Sequence, residues 1–249
     1  MQPVERFTRE DGETIAYLRR VGKSPGVVWL GGFKSDMNGT KAQALDNWAA
    51  KRAHAYLRFD YFGHGISSGR FGDGTISRWC DDALAVLDHL SNGPQVLVGS
   101  SMGAWIALLT ALRRPAKVAA LLLLAPATDF TEALMLDRMS PEIRRQITEQ
   151  GEWQRPSSYG DGPYPITRKL IEDGRRHLLL GAPINIDKPI HIMQGMKDPD
   201  VPWQHALKLV ERLSGNPSIT FIKEGDHRLS TPIDLQQIAA TLDALVAAL

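Results

Sequence analysis

The sequence has almost no cysteine, since Cys80 is the only one among 249 residues. A single cysteine cannot form a disulfide within the chain or supply the ligands of a cysteine-based zinc or iron–sulfur site. An excess of one charge is also missing, because 29 Lys and Arg face 28 Asp and Glu and leave a net charge of +1. Such a balance gives no long-range attraction to nucleic acid or to an anionic membrane. These absences exclude a disulfide-stapled domain and argue against a nucleic-acid partner.

Long apolar runs are absent as well. The longest, residues 118–127, is far shorter than the ~20 residues that a membrane-crossing helix needs. Acidic and basic side chains are scattered through the first twenty residues, an arrangement that is untypical of a secretory signal or a mitochondrial transit peptide. We therefore expect a cytoplasmic protein with no membrane span, no metal and no cofactor.

Short apolar runs alternate with helical segments along most of the chain. The predicted strands are residues 4–8, 13–20, 26–31, 54–60, 95–99, 118–125, 189–194 and 218–223. The predicted helices are residues 38–52, 76–91, 101–113, 202–213 and 231–249. Buried strands alternating with helices predict a doubly wound, mostly parallel α/β sheet. Residues 129–183 interrupt this alternation with helical segments and no convincing strand. We expect one domain over residues 1–249, with 129–183 as a helical lid or cap.

Residues 99–103, Gly-Ser-Ser-Met-Gly, match the G-x-S-x-G pattern. They follow an apolar strand-like run and open a helical one, which is the setting that a nucleophile elbow requires. The turn is tight and needs small flanking residues, which Gly99 and Gly103 provide. Ser101 is then held at the apex, beside a helix N-terminus that favours developing negative charge. We predict Ser101 as a nucleophile.

A serine hydroxyl needs a base to become a good nucleophile. His227 follows the last predicted strand, at the sheet edge where catalytic groups of open α/β sheets gather. The other histidines lie in strand-like runs, in predicted helices, in a glycine-rich loop or in the insertion, namely His54, His191, His89, His205, His64 and His177. His227 is the predicted base.

The base needs a carboxylate that fixes its tautomer and stabilises its cation. Asp198 follows the strand at 189–194, and the order Ser101, Asp198, His227 is the one expected for this arrangement. Two alternatives stay open. Asp200 lies two residues further on and could instead cap the next helix, and Asp129 follows the preceding strand.

Hydrolysis of an acyl group also needs two donors for the oxyanion. The backbone N–H of Met102 follows the nucleophile and is the first predicted donor. The second is the N–H of Phe33, in a loop where Gly31 and Gly32 let the backbone approach a substrate closely.

Together these residues resemble the α/β-hydrolase superfamily over almost the whole chain, and within it the palmitoyl-protein thioesterases. The matching stretches lie at residues 38–42, 58–65, 93–101, 195–203 and 226–228, with further likeness at 151–159. The resemblance implies a mostly parallel eight-stranded sheet flanked by helices, with Ser101, Asp198 and His227 as nucleophile, acid and base. It also implies cleavage of S-acyl thioesters on protein cysteines or of acyl-glucuronide esters.

The insertion is expected to cover Ser101. Its apolar candidates are Leu134, Met135, Leu136, Met139, Trp153, Tyr159 and Tyr164. Of these, Met135, Met139 and Trp153 are predicted to line the substrate site together with Gly32, although they could simply attach the insertion to the body.

The predicted function is therefore a serine hydrolase that cleaves an ester or thioester of a small molecule or an acylated protein through an acyl-enzyme. An acyltransferase or serine peptidase on the same residues is an alternative. A non-catalytic binding module is another, but it would be marked by a broken set of catalytic residues.

Overall fold

The computed structural model describes residues 3–156 and 162–249, so the predicted lid residue Tyr159 lies outside the described residues. The described strands are β1 (Glu5–Thr8), β2 (Thr14–Arg20), β3 (Lys23–Leu30), β4 (His54–Phe59), β5 (Gln95–Ser100), β6 (Val118–Leu124), β7 (Glu152–Arg155), β8 (Tyr164–Thr167), β9 (Ile190–Gly195) and β10 (Ser218–Ile222). The described α-helices are α1 (Thr40–Arg52), α2 (Ile76–His89), α3 (Met102–Arg113), α4 (Pro141–Gln150), α5 (Arg168–Gly174), α6 (Trp203–Arg212) and α7 (Pro232–Ala247). None of the helices in this described part is long and apolar enough to cross a membrane.

Eight strands form one sheet in the order β1-β2-β4-β3-β5-β6-β9-β10. β2 pairs antiparallel with both of its neighbours, and every other pairing in this sheet is parallel. The predicted mostly parallel eight-stranded sheet is thereby confirmed. Its parallel strands all end at one edge, which brings the loops after β3, β5, β9 and β10 together.

Both faces of the sheet are buried, which explains why its central strands are apolar along their whole length. Side chains alternate between the two faces, so that Leu97 packs in the core on the side of α2 and α3. Val96 and Val98 pack on the opposite side, with α1 and α7. The apolar helix α3 is buried at nearly every position and fixes the segment that follows β5.

The insertion between β6 and β9 differs from the prediction. Beside α4 and α5 it contains a two-stranded antiparallel ribbon of β7 and β8, in which Trp153 pairs with Ile166. The expectation that residues 129–183 hold no strand is therefore wrong. Each strand has only four residues, and Pro165 lies inside β8, so the apolar alternation is too short to stand out.

The two ends of the insertion meet at a buried carboxylate. Asp129 accepts hydrogen bonds from the backbone N–H groups of Leu179 (2.9 Å) and Leu180 (2.8 Å), which lie fifty residues further along the chain. The indole N–H of Trp105 on α3 donates to the carbonyl of His177 at 3.1 Å. These contacts attach the base of the insertion to the sheet and to α3.

Candidate active site

Ser101 lies at the sharp turn between β5 and α3. Its φ of 55° and ψ of −117° place a non-glycine residue in a strained conformation that only tight surroundings maintain. A Cβ on Gly99 would lie 2.4 Å from the carbonyl oxygen of Gly103, and one on Gly103 would lie 2.0 Å from that of Leu30. Only glycine therefore fits on either side of Ser101.

His227 reaches Ser101 from the loop after β10. Its Nε2 lies 3.1 Å from Ser101 Oγ. The carboxylate of Asp226 accepts from the N–H groups of Arg228 (2.9 Å) and Leu229 (3.1 Å), which folds the loop around the imidazole. Lys41 on α1 donates from Nζ to the Arg228 carbonyl and holds the loop from the other side. The loop therefore presents His227 to Ser101 in a defined orientation.

Asp198 stands behind His227, with its side chain fully buried. Its Oδ2 lies 2.8 Å from His227 Nδ1 and accepts from Gln194 Nε2 at 3.2 Å. Its Oδ1 accepts from the N–H groups of Asp200 (2.9 Å) and Val201 (2.8 Å). A carboxylate only accepts, so Nδ1 of His227 carries the proton and Nε2 presents its lone pair to Ser101.

The rival carboxylates are placed differently. Asp129 is bonded to Leu179 and Leu180 at the base of the insertion, and burial raises the pKa of its carboxyl group. Asp200 lies beside Asp198, and ligand atoms of Asp198, Asp200 and His227 fall within 4.8 Å of one another. Asp198 and His227 already bond each other there. The alternative in which Asp200 caps the next helix is not realised, because α6 starts after Pro202 with no side-chain cap.

The loop after β3 lies against the elbow. A Cβ on Gly32 would lie 3.5 Å from Ser101 Cβ, and Ser35 N–H closes the turn by donating to the Gly32 carbonyl at 3.1 Å. In the described part of the chain, no hydrogen bond uses the N–H of Phe33. Met102 is the first residue of α3, and the N–H groups of a helix's first turn have no partner inside the helix. Among residues 3–156 and 162–249, neither predicted oxyanion donor thus has a hydrogen-bond partner.

Aromatic side chains surround the ring of Phe33. Its centroid lies 5.0 Å from that of Phe71, 5.4 Å from Phe130, 5.7 Å from Trp79 and 5.9 Å from Tyr164. These partners come from the body and from the insertion, so the wall beside the candidate oxyanion donor is apolar. Sequence reasoning missed Phe71 and Phe130, because only the three-dimensional structure brings their segments to Phe33.

The predicted substrate-lining residues of the insertion occupy separate elements. Met135 ends a short π-helix at Thr131–Met135, Met139 precedes α4, and Trp153 lies in β7. Met135 is buried in the core on the side of α2 and α3, and the other two side chains pack against that core. Their contact with a substrate stays a prediction.

A second serine, histidine and aspartate cluster lies between α2 and α5. Ser77 Oγ donates to Asp173 Oδ1 at 2.8 Å and lies 2.7 Å from His177 Nε2. Arg113 faces His177 Nδ1 at 3.4 Å, and a guanidinium only donates, so the imidazole proton is on Nε2 and points at Ser77. His177 thus donates to this serine and cannot take its proton. The cluster joins α2 to α5. Its histidine donates to the serine, whereas a nucleophilic serine needs a histidine that accepts its proton.

Cys80 points inward from α2. The thiol is buried, and burial raises its pKa to about 11. A thiol of that kind is unreactive, so Cys80 is a core residue.

Comparison with known proteins gives matches over almost the whole chain. A family profile described as "Serine aminopeptidase, S33" (Hydrolase_4) matches residues 27–155. The mitochondrial palmitoyl-protein thioesterase ABHD10 of Pongo abelii is 39% identical over 242 residues, which cover 96% of this chain and 79% of that protein. A crystal structure of a putative hydrolase from Agrobacterium vitis S4 matches with a TM-score of 0.93 at 43% identity, covering 98% of this chain and 100% of that chain. The structure of mouse alpha/beta hydrolase domain-containing protein 10 matches with a TM-score of 0.91 at 36% identity, covering 99% of each chain.

Proposed function

The chain belongs to the α/β-hydrolase family and is a hydrolase of the esterase and thioesterase class, and we propose that Ser101, His227 and Asp198 carry out its reaction. The observation that carries this proposal is the continuous chain of contacts from Ser101 Oγ to His227 (3.1 Å) and from His227 to Asp198 (2.8 Å). The substrate that we propose is an S-acyl thioester on a protein cysteine, with small-molecule esters, including acyl glucuronides, as further substrates.

In the first half of the reaction, Ser101 Oγ attacks the acyl carbon while His227 Nε2 takes its proton. The oxyanion accepts from the N–H groups of Met102 and Phe33. When the tetrahedral intermediate collapses, the bond to the leaving sulfur or oxygen breaks and His227 returns the proton to it. Water then attacks the acyl-enzyme, again giving a proton to His227, and Ser101 leaves with that proton. Asp198 stays ionised throughout and stabilises the imidazolium.

Two features support an acyl chain as the bound group. The named relative is a palmitoyl-protein thioesterase, and the half-buried rings of Phe33 and Phe71, whose centroids are 5.0 Å apart, are the apolar groups that in this proposal contact a hydrocarbon chain. In this proposal the insertion at residues 129–183 is a lid over Ser101, and Met135, Met139 and Trp153 line the acyl site together with Gly32. The proposed location is the cytoplasm, although the named relatives are mitochondrial, and immunodetection in fractionated cells tests it.

The decisive experiment compares the two serine clusters. We expect Ser101→Ala to abolish labelling by a fluorophosphonate probe and to lower turnover of acyl thioesters by at least ~10³-fold, because no other nucleophile replaces the hydroxyl. The matched control is Ser77→Ala, which removes the serine of the non-catalytic cluster and should keep both labelling and turnover. Continued labelling of Ser101→Ala would overturn the assignment. A separate screen of the wild-type protein with p-nitrophenyl esters and thioesters of graded chain length defines the acyl group.

A serine peptidase is the second candidate, because the description of the matching family profile names an aminopeptidase. The same three residues would cleave an amide. Amino-acid p-nitroanilides measured beside the corresponding thioesters distinguish the two functions, and we expect the thioesters to turn over faster.

A further inference from the structure

His64 is a buried imidazole that the proposed mechanism does not use. It follows β4 in a glycine-rich loop and is only 3% exposed. Its Nδ1 lies 3.1 Å from the carbonyl oxygen of Phe62, and its Nε2 lies 3.1 Å from the backbone nitrogen of Lys34. A carbonyl only accepts and an amide N–H only donates, so Nδ1 must carry the proton and Nε2 must offer its lone pair to Lys34.

The surroundings of His64 keep its ring in this orientation and in this charge state. The ring lies edge-on to Phe71 (5.1 Å), Trp79 (5.3 Å) and Tyr61 (5.8 Å). Removal from water lowers its pKa to about 4, and the nearby charge of Lys34 acts in the same direction. The imidazole is therefore neutral at physiological pH, and its Nε2 is available as an acceptor.

The N–H group that donates to His64 Nε2 belongs to Lys34, whose backbone is strained. Lys34 has a φ of 60°, in the left-handed region that is costly for a residue other than glycine. Such a conformation persists only where its surroundings hold it. The Lys34 side chain is exposed and lies over the rings of Phe71 and Tyr164, at 5.8 and 5.5 Å from their centroids. The hydrogen bond to His64 is therefore a half-buried polar contact that fixes this peptide group.

The peptide group held by His64 is the one that directly follows Phe33. A rotation that moves the Lys34 N–H away from His64 turns the peptide group between Phe33 and Lys34, which changes ψ of Phe33 and the path of the loop that carries the Phe33 N–H. We infer that His64 is a positioning residue, which holds the Phe33 N–H toward the oxyanion by accepting a hydrogen bond from Lys34. This inference rests on the proposed function, in which Phe33 supplies an oxyanion donor.

The test replaces the acceptor and then restores it. His64→Phe keeps an aromatic ring but accepts no hydrogen bond, whereas the side-chain amide oxygen of His64→Gln can accept from Lys34. Loss of an entire oxyanion donor costs ~10²–10³-fold in kcat, so a misdirected donor should cost about 10–100-fold. We expect this loss in kcat for His64→Phe, with KM changed by less than about threefold, and recovery to within about fivefold of wild type in His64→Gln. Affinity for a trifluoromethyl ketone, which forms the tetrahedral adduct, should fall in parallel with kcat.

A second measurement does not depend on hydrolysis. Amide hydrogen exchange of Lys34, followed by NMR, should be at least about tenfold faster in His64→Phe than in wild type, and slow again in His64→Gln. The matched control is His54→Phe, the same substitution of a buried histidine that bonds the Pro25 carbonyl at the other end of β4. It should change neither kcat nor the exchange of Lys34.

The outcomes separate this inference from the proposed function. Equal exchange of Lys34 in His64→Phe and wild type overturns the positioning role, whatever the activity. Unchanged kcat in a folded His64→Phe variant overturns it as well. A wild-type protein that hydrolyses neither esters nor thioesters overturns the proposed function, while Lys34 exchange still reports on the loop. If His64→Phe does not fold, the smaller His64→Leu is measured in its place.

Discussion

Replacement of Asp198 by asparagine tests whether Asp198 is the carboxylate that supports His227, because it changes one carboxylate oxygen to an amide nitrogen. The carboxylate accepts from four donors, of which the N–H groups of Asp200 and Val201 bind Oδ1, while His227 and Gln194 bind Oδ2. In Asp198→Asn the amide oxygen can satisfy the two backbone N–H groups. The amide NH₂ then takes the place of Oδ2 and faces His227.

This arrangement reverses the tautomer of the base. His227 Nδ1 must now accept a hydrogen bond from the amide, so the imidazole proton moves to Nε2 and points at Ser101. With Nε2 protonated, the imidazole can no longer take the proton of Ser101. A serine protease with the same substitution and the same tautomer change loses about 10⁴ in kcat, which corresponds to about 5.5 kcal/mol of transition-state stabilisation. The Gln194 amide loses one acceptor, so the free energy of unfolding should fall by only about 1 kcal/mol.

We therefore expect Asp198→Asn to lower kcat by about 10⁴-fold with an acyl thioester while KM and the urea midpoint change little. The matched control is Asp200→Asn, the neighbouring carboxylate that does not touch His227 Nδ1, which should stay within about threefold of wild type. A loss of less than tenfold in Asp198→Asn, or an equal loss in Asp200→Asn, would refute the assignment of the acid.

Three further predictions concern the elbow, the thiol and the buried imidazole. Gly103→Ala would bring a methyl group to 2.0 Å from the Leu30 carbonyl oxygen, so we expect a loss of at least ~3 kcal/mol in urea unfolding or no folded protein, and wild-type stability would contradict the geometry. Cys80, whose thiol pKa is raised to about 11 by burial, should react with iodoacetamide at pH 8 at least ~100-fold more slowly in the native than in the unfolded protein, and equal rates would contradict its burial. Burial lowers the pKa of the His64 imidazole to about 4 in the native protein, against about 6.5 in the unfolded chain, so the unfolded state binds more protons between these two pH values. As the pH drops from 6.5 to 4, the free energy of unfolding should thus fall by up to about 3 kcal/mol more in wild type than in His64→Gln. The same pH dependence of the free energy of unfolding in both proteins would contradict the lowered pKa of His64.

The elements that the sequence predicts well are those whose signal is local. The elbow can be recognised because an apolar strand, Gly99, Ser101, Gly103 and an apolar helix follow one another directly. His227 and Asp198 can be recognised because each follows a buried strand, and the edge of a parallel sheet collects such residues. The contacts among these three residues follow from topology once the strand order is known.

The ribbon of β7 and β8 shows where local pattern fails. β7 reads Glu-Trp-Gln-Arg, with a single apolar side chain, and β8 contains a proline. Neither strand carries enough alternation to be distinguished from a loop. Their pairing depends on contact between Trp153 and Ile166 and on packing against the body, which only the folded chain supplies.

The hydrogen-bond partners of His64 and Asp129 could not be predicted from the sequence either, for a different reason. Each makes hydrogen bonds to backbone N–H groups far away in sequence, at Lys34 and at Leu179 and Leu180. Every residue except proline has a backbone N–H group, so no residue type, spacing or motif in the sequence indicates which of these groups will be the partner. Both side chains could therefore be noticed in the sequence but not assigned a partner.

The carboxylate of Asp129 has a consequence for how this protein can diversify. Because it joins the two ends of the insertion, any replacement segment would enter and leave at one fixed place beside β6. Such a segment would have to retain the residues of the insertion that pack in the core beside α2 and α3, namely Ile147, Ile166, Leu170 and Ile171. New acyl preferences would then arise by substitution at the exposed positions of the insertion, while its buried side stays as it is.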